Sequence, residues 1–127
     1  MVADNPVLEN PFGDFMSHLT KSLVDKNGYT KVVSAASGFG KDVMPRVGGL
    51  LDLQAVTDVI EVVDNGEKFK RPIYAGNAVA TVSSSDAIKL ITFRPTNFEK
   101  LEQSEASHNY PTESVDAIVD DVKGSWK

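Results

Sequence analysis

The stretch Arg71-Pro-Ile-Tyr-Ala-Gly-Asn-Ala78 decides how the second half of this chain folds, because it joins two strand-like runs. Residues 68–74 have an extended composition, and a β-branched run follows at residues 78–82. The Gly76-Asn77 pair tolerates positive φ angles, so it predicts a tight turn between two antiparallel strands. Working outward from this hairpin, the rest of the chain can be divided into helices and strands.

Arg71 and Tyr74 lie close to the predicted bend, and each side chain has two open interpretations. In the first, Arg71 pairs with a carboxylate of its own chain and Tyr74 covers the edge of the core. In the second, both side chains contact a partner. The residue types alone are compatible with either interpretation.

Composition sets the broad class. The chain has 127 residues, which suits one domain, and a hydrophobic content of 41%, which is ordinary for a globular core. With 13 Lys and Arg against 18 Asp and Glu, the net charge of -5 disfavours nucleic-acid binding. The absence of cysteine excludes disulfides and thiolate chemistry. No apolar run approaches the roughly 20 residues that cross a bilayer, so we expect a soluble protein.

The amino terminus does not have the pattern of a signal or transit peptide. Residues 1–6 are acidic, lack arginine and precede no apolar segment. We therefore expect either that the chain needs no import or that its true start is missing.

The first half alternates helical and extended patterns. Residues 14–26 carry apolar side chains at spacings of three and four, which predicts a helix capped by Asp14 and ended by Asn27-Gly28. Residues 30–36 form a short apolar run between turn formers, which predicts a buried strand. Helix followed closely by strand is typical of an α/β fold.

A second helix and a second strand follow. The helix is predicted over residues 37–52, with Pro45 in its first turn and Gly48-Gly49 leaving a face for close backbone packing. Residues 58–63 predict the strand. The strand-helix-strand order predicts that these two strands are parallel neighbours.

The second half predicts antiparallel strands. Asn65-Gly66 is a strong hairpin signal, and residues 87–93 predict one more strand. Gly76 could instead mark a bulge within one long strand. Residues 99–108 favour a solvated loop or a frayed helix, whereas residues 113–122 fit either a helix or an edge strand.

Gly38-Phe-Gly-Lys41 lies between a predicted strand and a predicted helix, where free backbone amides attract phosphate. A Walker loop requires glycine where Ala35 stands and serine or threonine where Asp42 stands. A dinucleotide fingerprint requires glycine at Val43. These mismatches favour a structural turn.

No residue is predicted to be catalytic or to bind a metal. His18 and His108 each lack a second histidine at ligand spacing. The polar run at residues 83–86 has no basic partner nearby in sequence, and the acids of residues 99–121 form no defensible acid and base pair.

Five stretches match one family in order and in spacing. They are Tyr29-Thr-Lys-Val-Val33, Gly38-Phe-Gly-Lys-Asp-Val-Met-Pro-Arg-Val47, Asp58-Val-Ile-Glu-Val62, Arg71-Pro-Ile-Tyr-Ala-Gly-Asn-Ala78 and Ile88-Lys-Leu-Ile-Thr-Phe93. Together they resemble the α subunit of the electron transfer flavoproteins, heterodimeric FAD carriers that take electrons from acyl-CoA and related dehydrogenases. The resemblance covers residues 28–98.

The resemblance implies an α/β fold, namely a partial Rossmann-like, adenine-nucleotide-hydrolase-like sheet with parallel strands, flanking helices and an added antiparallel hairpin. It divides the chain into an amino-terminal extension (1–12), a partial α/β domain (13–98) and an acidic carboxy-terminal segment or linker (99–127). In the family, FAD sits mainly in a carboxy-terminal domain whose motifs do not occur here. The resemblance therefore implies no cofactor-binding residue in this chain, and an electron-carrier fragment without its own redox centre, not an enzyme.

The resemblance also implies a role in support and assembly, with the electron transfer flavoprotein β subunit as partner. The candidate interface or support residues are Arg46, Arg71, Tyr74, Gly76, Asn77 and Lys41. Each of them could instead be an internal fold contact. A sheet without its first strands would leave an unpaired edge along residues 30–36, which predicts self-association or dependence on a partner. The implied location is the mitochondrial matrix in a eukaryote or the cytoplasm in a bacterium.

Two other functions stay open on sequence grounds. One is a stand-alone adenine-nucleotide-binding α/β domain, in which residues 38–41 and 71–77 flank the nucleotide. The other is a purely structural dimerisation module.

Overall fold

A computed structural model describes residues 1–9, 12–102 and 110–117. The helices and strands of these ranges are α1 (Gly13–Asn27), β1 (Lys31–Ala35), α2 (Gly38–Leu51), β2 (Ala55–Val59), β3 (Glu61–Val63), β4 (Lys68–Ile73), β5 (Ala78–Ser83) and β6 (Lys89–Phe93). They form a parallel sheet in the order β1-β6-β2 and an antiparallel sheet in the order β3-β4-β5.

The parallel sheet is the middle layer of the fold. On one face, α2 packs on the sheet in an apolar cluster that contains Met44, Val47 and Leu90. On the other face, the antiparallel sheet covers β2 and β6 through a cluster that contains Phe69 and Ile91. Leu90 and Ile91 are adjacent in β6 and point to opposite faces, as successive strand residues must. Each of them is almost completely buried.

The strand order differs from the predicted one. β1 and β2 are parallel, as predicted, but they are not neighbours, because β6 lies between them and pairs with both. The prediction that residues 87–93 join an antiparallel arrangement is also wrong, since β6 runs parallel to both partners. The physical reason is the apolar run of β6, which is buried on both faces and therefore takes the centre of a parallel sheet.

The strand predicted over residues 58–63 is in fact two strands in different sheets. β2 begins at Ala55, and its pairing with β6 is irregular between Val56 and Val59. Asp58, within this irregularity, has a φ of 61°. The Ile60 amide then donates to the Lys70 carbonyl at 2.9 Å, so the chain passes directly into the antiparallel sheet.

The predicted capping residue of the first helix is wrong. Phe12 occupies the cap position and makes no capping hydrogen bond through its side chain, whereas Asp14 lies in the first turn. The predicted end is confirmed, because Gly28 has a φ of 66° and its amide donates to the Val24 carbonyl.

The second helix is confirmed, but Pro45 lies in its interior and not in its first turn. The helix starts early because the Ser37 hydroxyl accepts a hydrogen bond from the Gly40 amide at 3.1 Å. Close packing is confirmed at Gly48, where an added Cβ would lie 2.7 Å from the Leu53 carbonyl oxygen. At Gly49 an added Cβ would meet nothing within 4 Å.

The predicted buried strand at residues 30–36 is an edge strand. Within the described residues β1 pairs with β6 alone, and its residues alternate between exposed and half-buried. Val33 is 59% exposed because the antiparallel sheet does not extend over this part of the sheet face.

Both predicted hairpins are confirmed. β3 and β4 pair across the turn Asp64–Gly66, and β4 and β5 pair across the turn Tyr74–Gly76, with Ile73 opposite Ala78. Gly76 therefore marks a turn and not a bulge.

Val2 contacts the described segment at residues 113–115. Val2 makes a parallel bridge with Ser114, and the Val115 amide donates to the Val2 carbonyl at 2.9 Å. Residues 103–109 and 118–127, including His108, lie outside the described ranges. The described parts of the two predicted carboxy-terminal segments, 99–102 and 113–117, contain this bridge and no helix.

The close approach at Gly40 gives a stability prediction. An added Cβ there would lie 2.0 Å from the Ala35 carbonyl oxygen, so Gly40→Ala should lower the free energy of unfolding by about 2–3 kcal/mol. Gly49→Ala is the matched control in the same helix and should raise it by about 0.5–1 kcal/mol. Urea denaturation would measure both, and equal effects of the two substitutions would contradict the packing described here.

Candidate interface site

The structure does not bring the six candidate interface residues together in one site. Arg46 lies on the helical layer, and Lys41 and Arg71 act on the charge of Asp58 from different elements. Tyr74, Gly76 and Asn77 lie at the turn between β4 and β5.

Arg46 joins the two helices. Its Nη2 atom donates to Asp14 Oδ1 at 2.5 Å, and His18 Nε2 lies 3.7 Å from the same oxygen. The side chain of Arg46 is still 55% exposed. It also lines a cavity of 380 Å³ together with Phe12 and Asp42. Arg46 therefore makes an internal fold contact and leaves part of its surface accessible.

Asp58 and Arg94 form a forked ion pair near the carboxyl ends of β2 and β6. Arg94 Nε donates to Asp58 Oδ1 at 3.0 Å, and Arg94 Nη2 donates to Oδ2. The Asp58 amide donates to the Thr92 hydroxyl at 2.8 Å, and the Arg94 amide donates to the Val59 carbonyl at 2.8 Å. The pair thus fastens the irregular end of β2 to β6 through side chains as well as through the backbone.

The electrostatics of this pair follow from its geometry. The hydrogen bond from Arg94 lowers the pKa of Asp58 below its ordinary value of 3.8, although partial burial opposes this. Attraction to Arg94, Lys41 and Arg71 lowers the pKa of Asp58 further. The same hydrogen bond raises the pKa of Arg94. Asp58 is therefore a carboxylate, held in its charged form at neutral pH.

Sequence reasoning missed this ion pair. The usable signal was the presence of Asp58 and Thr92, two polar residues inside largely apolar strands, because buried polar groups must find hydrogen bonds. Arg94 lies just after the second of these strands, and its partner could not be deduced without knowing that β6 lies beside β2.

Arg71 has no such partner. Its side chain makes no ion pair in the described part of the chain, and its Nε atom is buried without a hydrogen-bond acceptor. The interpretation in which Arg71 pairs with a carboxylate of its own chain is therefore wrong for residues 1–9, 12–102 and 110–117.

The turn that carries Tyr74 is strained. Tyr74, Ala75 and Gly76 have φ angles of 50°, 54° and 91°. These values are unfavourable for tyrosine and alanine, whose Cβ atoms crowd the backbone in the left-handed region. Tyr74 is 78% exposed, so the interpretation in which it covers the core edge is also wrong. Non-glycine residues held in this region are concentrated at functional sites.

The corresponding turn between β3 and β4 has the same backbone path. Asp64, Asn65 and Gly66 have φ angles of 54°, 52° and 90°. Aspartate and asparagine tolerate this conformation much better than tyrosine and alanine do. The two turns therefore differ in side chains and not in geometry.

The start of α2 is built as a structural turn. The Ser37 hydroxyl already accepts from the Gly40 amide, which is one of the groups that could otherwise bind a phosphate. Gly40 is buried against the end of β1. Both contacts support the interpretation of residues 38–41 as a structural turn that connects β1 to α2.

An apolar groove runs along the uncovered face beside β1. It has a volume of 470 Å³, and its lining includes Val33, Phe93, Pro95 and Phe98. The rings of Phe93 and Phe98 meet edge to face, with centroids 5.5 Å apart. Val33, in an edge strand with one neighbour, forms the exposed wall of this groove.

Neither helix of the described ranges has the combined length and apolarity needed to span a bilayer. No group of three or more His, Asp or Glu side chains in these ranges is placed to hold a metal ion.

The fold is thus an α/β domain with helices on one face of a parallel sheet and an antiparallel sheet on the other. The chain belongs to the electron transfer flavoprotein family, since the family described as "Electron transfer flavoprotein domain" matches residues 1–119.

Three relatives show how much of a longer protein is represented. The chain is 44% identical to the electron transfer flavoprotein subunit alpha of Pseudomonas aeruginosa, over 78% of this chain and 31% of that protein. It is 35% identical to the mitochondrial subunit alpha of Oryza sativa subsp. indica, over 91% of this chain and 32% of that protein. The probable mitochondrial subunit alpha of Caenorhabditis elegans is 33% identical, over 98% of this chain and 38% of that protein. The chain therefore spans about a third of the length of these curated relatives.

The strained turn predicts a stabilising substitution. Ala75→Gly removes the Cβ at a φ of 54° and should raise the free energy of unfolding by about 0.5–1 kcal/mol. The same change at Ala80, within β5, is the control and should lower it by about 1 kcal/mol, because glycine weakens a strand. Denaturant melts would compare them, and a destabilising Ala75→Gly would show that the turn is not strained.

The ion pair predicts a pH-dependent loss of stability. Asp58→Asn tolerates the positive φ but loses the charge, so at pH 7 it should lower the free energy of unfolding by about 1 kcal/mol. Because the folded pKa of Asp58 is depressed, its contribution is present above about pH 4 and disappears as the pH falls through the folded value. The difference between wild type and variant should therefore shrink in acid.

A control for this measurement is Asp25→Asn, which removes the exposed pair with Lys21 on α1. Exposed pairs contribute little, so this variant should stay within about 0.5 kcal/mol of wild type at every pH. If Asp58→Asn behaved like Asp25→Asn, the fork to Arg94 would have no role in stability.

Proposed function

We propose that this chain is the supporting part of an electron transfer flavoprotein α subunit and that it binds an electron transfer flavoprotein β subunit. Membership of the family and the α-subunit names of the relatives support this assignment. The observation that carries the assembly role is the unpaired edge of β1, next to an uncovered apolar face.

The edge has the features of a surface that another chain covers. β1 has one neighbour, so a row of its backbone amides and carbonyls is unpaired within the described sheet. Val33 is 59% exposed and Tyr29 is 40% exposed, and both line one cavity of 280 Å³ beside β1. Strand edges and exposed apolar patches favour association. A β subunit, a second copy of this chain or further sequence of a longer α subunit could each supply the cover.

The strained hairpin turn is a second surface for assembly. Tyr74 presents an aromatic ring to solvent, and Gly76 and Asn77 complete the turn beside it. Aromatic side chains with a polar tip are enriched at protein interfaces. We assign an interface role to these three residues, and a supporting role to Arg46 and Lys41 in α2 and to Arg71 in β4.

We propose that the described residues hold no flavin. A bound FAD requires a site for its pyrophosphate, and at the start of α2 the Gly40 amide already donates to Ser37. We propose that FAD is held by other parts of the heterodimer, and that only the complete heterodimer accepts electrons from acyl-CoA dehydrogenases. Under this proposal the chain has no redox centre of its own.

The proposed cellular location depends on the source organism. Eukaryotic relatives are named mitochondrial, and we propose the mitochondrial matrix for a eukaryotic source and the cytoplasm for a bacterial one.

Assembly can be tested by light scattering on the chain alone and mixed with a purified β subunit. We expect either self-association or a complex with the β subunit, and we expect Val33→Lys to weaken it at least tenfold by placing a charge in the apolar face. Val62→Lys is the matched control, because Val62 is also an exposed valine, 41% accessible, and lies on β3, outside both of these surfaces.

Three results would contradict the proposal. One is a folded monomer that does not bind the β subunit. Another is an equal weakening of association in the two lysine variants. The third is a preparation that stays yellow through dialysis with about one flavin per chain, since it would place the cofactor in this chain.

A further inference from the structure

The two turns of the antiparallel sheet are closed in the same way by different side chains. Each has three consecutive residues with positive φ angles of nearly equal size. The Glu67 amide donates to the Asp64 carbonyl in the first turn, and the Asn77 amide donates to the Tyr74 carbonyl in the second, at 3.1 Å in both. Because residues that tolerate positive φ form this path in the first turn, the path itself does not require a tyrosine.

Tyr74 makes no internal contact that would compensate for its unfavourable φ of 50°. Its side chain is 78% exposed and forms no hydrogen bond, ion pair or ring contact within the described residues. Asp64, at the same place in the first turn, pairs with Lys68 Nζ at 2.9 Å. An unfavourable backbone conformation at a residue without such contacts indicates a role outside the fold.

The end of the second hairpin also carries no charge. We call residues 72–79 the hairpin tip, and their sequence is Pro-Ile-Tyr-Ala-Gly-Asn-Ala-Val. The equivalent residues of the first hairpin, 62–69, include two acids and one lysine. Within the tip, Val79 is 54% exposed in addition to Tyr74. Interface cores are depleted of charged residues and enriched in aromatic ones, so this composition favours an interface over a solvated turn.

We propose that Tyr74 anchors the hairpin tip to the electron transfer flavoprotein β subunit, with its ring in an apolar pocket of that partner. This inference rests on the proposed function and deepens it, because it names the residue that carries the binding. The pocket must contain no unpaired charge opposite the uncharged tip, and it must offer a hydrogen-bond acceptor to the phenol O–H. A few residues carry most of the affinity of an interface, and tyrosine is prominent among them.

Two asparagine substitutions in the same turn separate the ring from the backbone. Asparagine tolerates the left-handed region, as Asn65 shows in the first turn. Tyr74→Asn relieves the backbone and removes the ring, whereas Ala75→Asn relieves the backbone and keeps the ring. Urea denaturation of the 127-residue chain and calorimetric titration with a purified β subunit measure the two effects.

Both asparagine variants should unfold at a higher urea concentration than the wild type. Tyr74→Asn should bind the β subunit at least about tenfold more weakly, and Ala75→Asn should bind within about twofold of wild type. Tyr74→Phe keeps the ring and loses only the hydroxyl, so its affinity should lie between those of wild type and Tyr74→Asn. A gain in stability together with a loss of binding is expected if the tyrosine serves a partner.

Three outcomes would overturn the anchor. If Tyr74→Asn unfolds more readily than wild type or does not fold, Tyr74 supports the fold. If Tyr74→Asn binds the β subunit as tightly as wild type, the ring carries no affinity. If both asparagine variants weaken binding equally, the effect belongs to the backbone of the turn and not to the ring.

The wild-type titration separates this inference from the proposed function. If the wild type binds the β subunit and Tyr74→Asn binds it equally, the anchor alone is wrong. If the wild type does not bind the β subunit, the proposed partner and the anchor are both wrong. Wild-type self-association that Tyr74→Asn abolishes, without any complex with the β subunit, would assign the tip to a second copy of this chain and overturn the anchor as stated.

Discussion

The burial of β6 on both faces is the constraint on which the rest of the structure depends. Leu90 is 0% exposed beneath the helices, and Ile91 is 2% exposed beneath the antiparallel sheet. The last strand in the described part of the chain therefore joins two layers that are formed by earlier residues. Since β1 and β2 each pair with β6 and not with each other, the parallel sheet cannot form until residue 89 and those after it are in place. Apolar burial on this scale is the dominant favourable contribution to folding.

Local features of the fold could be predicted from the sequence, because local chemistry decides them. Gly28 ends α1 through its φ of 66°, and the glycine-containing turns at Gly66 and Gly76 join the antiparallel strands. Strand order could not be predicted, because it depends on pairing between residues that are more than thirty positions apart, such as Val56 and Ile91. The same limit explains why residues 58–63, which the sequence predicts as one strand, form parts of two strands.

The candidate site was predictable only in part. The sequence singled out the hairpin and Arg71, and the structure shows that both are unusual, one in its backbone and the other in its missing acceptor. The pair between Asp58 and Arg94 could not be anticipated, since it joins the ends of two strands whose adjacency was not known. Arg46 shows the opposite outcome, because its contact with Asp14 is an ordinary link between helices. Whether these residues contact a partner stays a prediction.

The two hairpin turns have one backbone path and different residues, and this has a consequence for the order of folding. The turn Asp64–Gly66 favours its own conformation, so β3 and β4 can meet while the rest of the chain is still unfolded. The turn Tyr74–Gly76 opposes its conformation, so β5 must be held by contacts such as the packing of Val82 near Phe69 before the bend is stable. We therefore expect the second bend to be a late event, and amides beside it to open more readily than those beside the first.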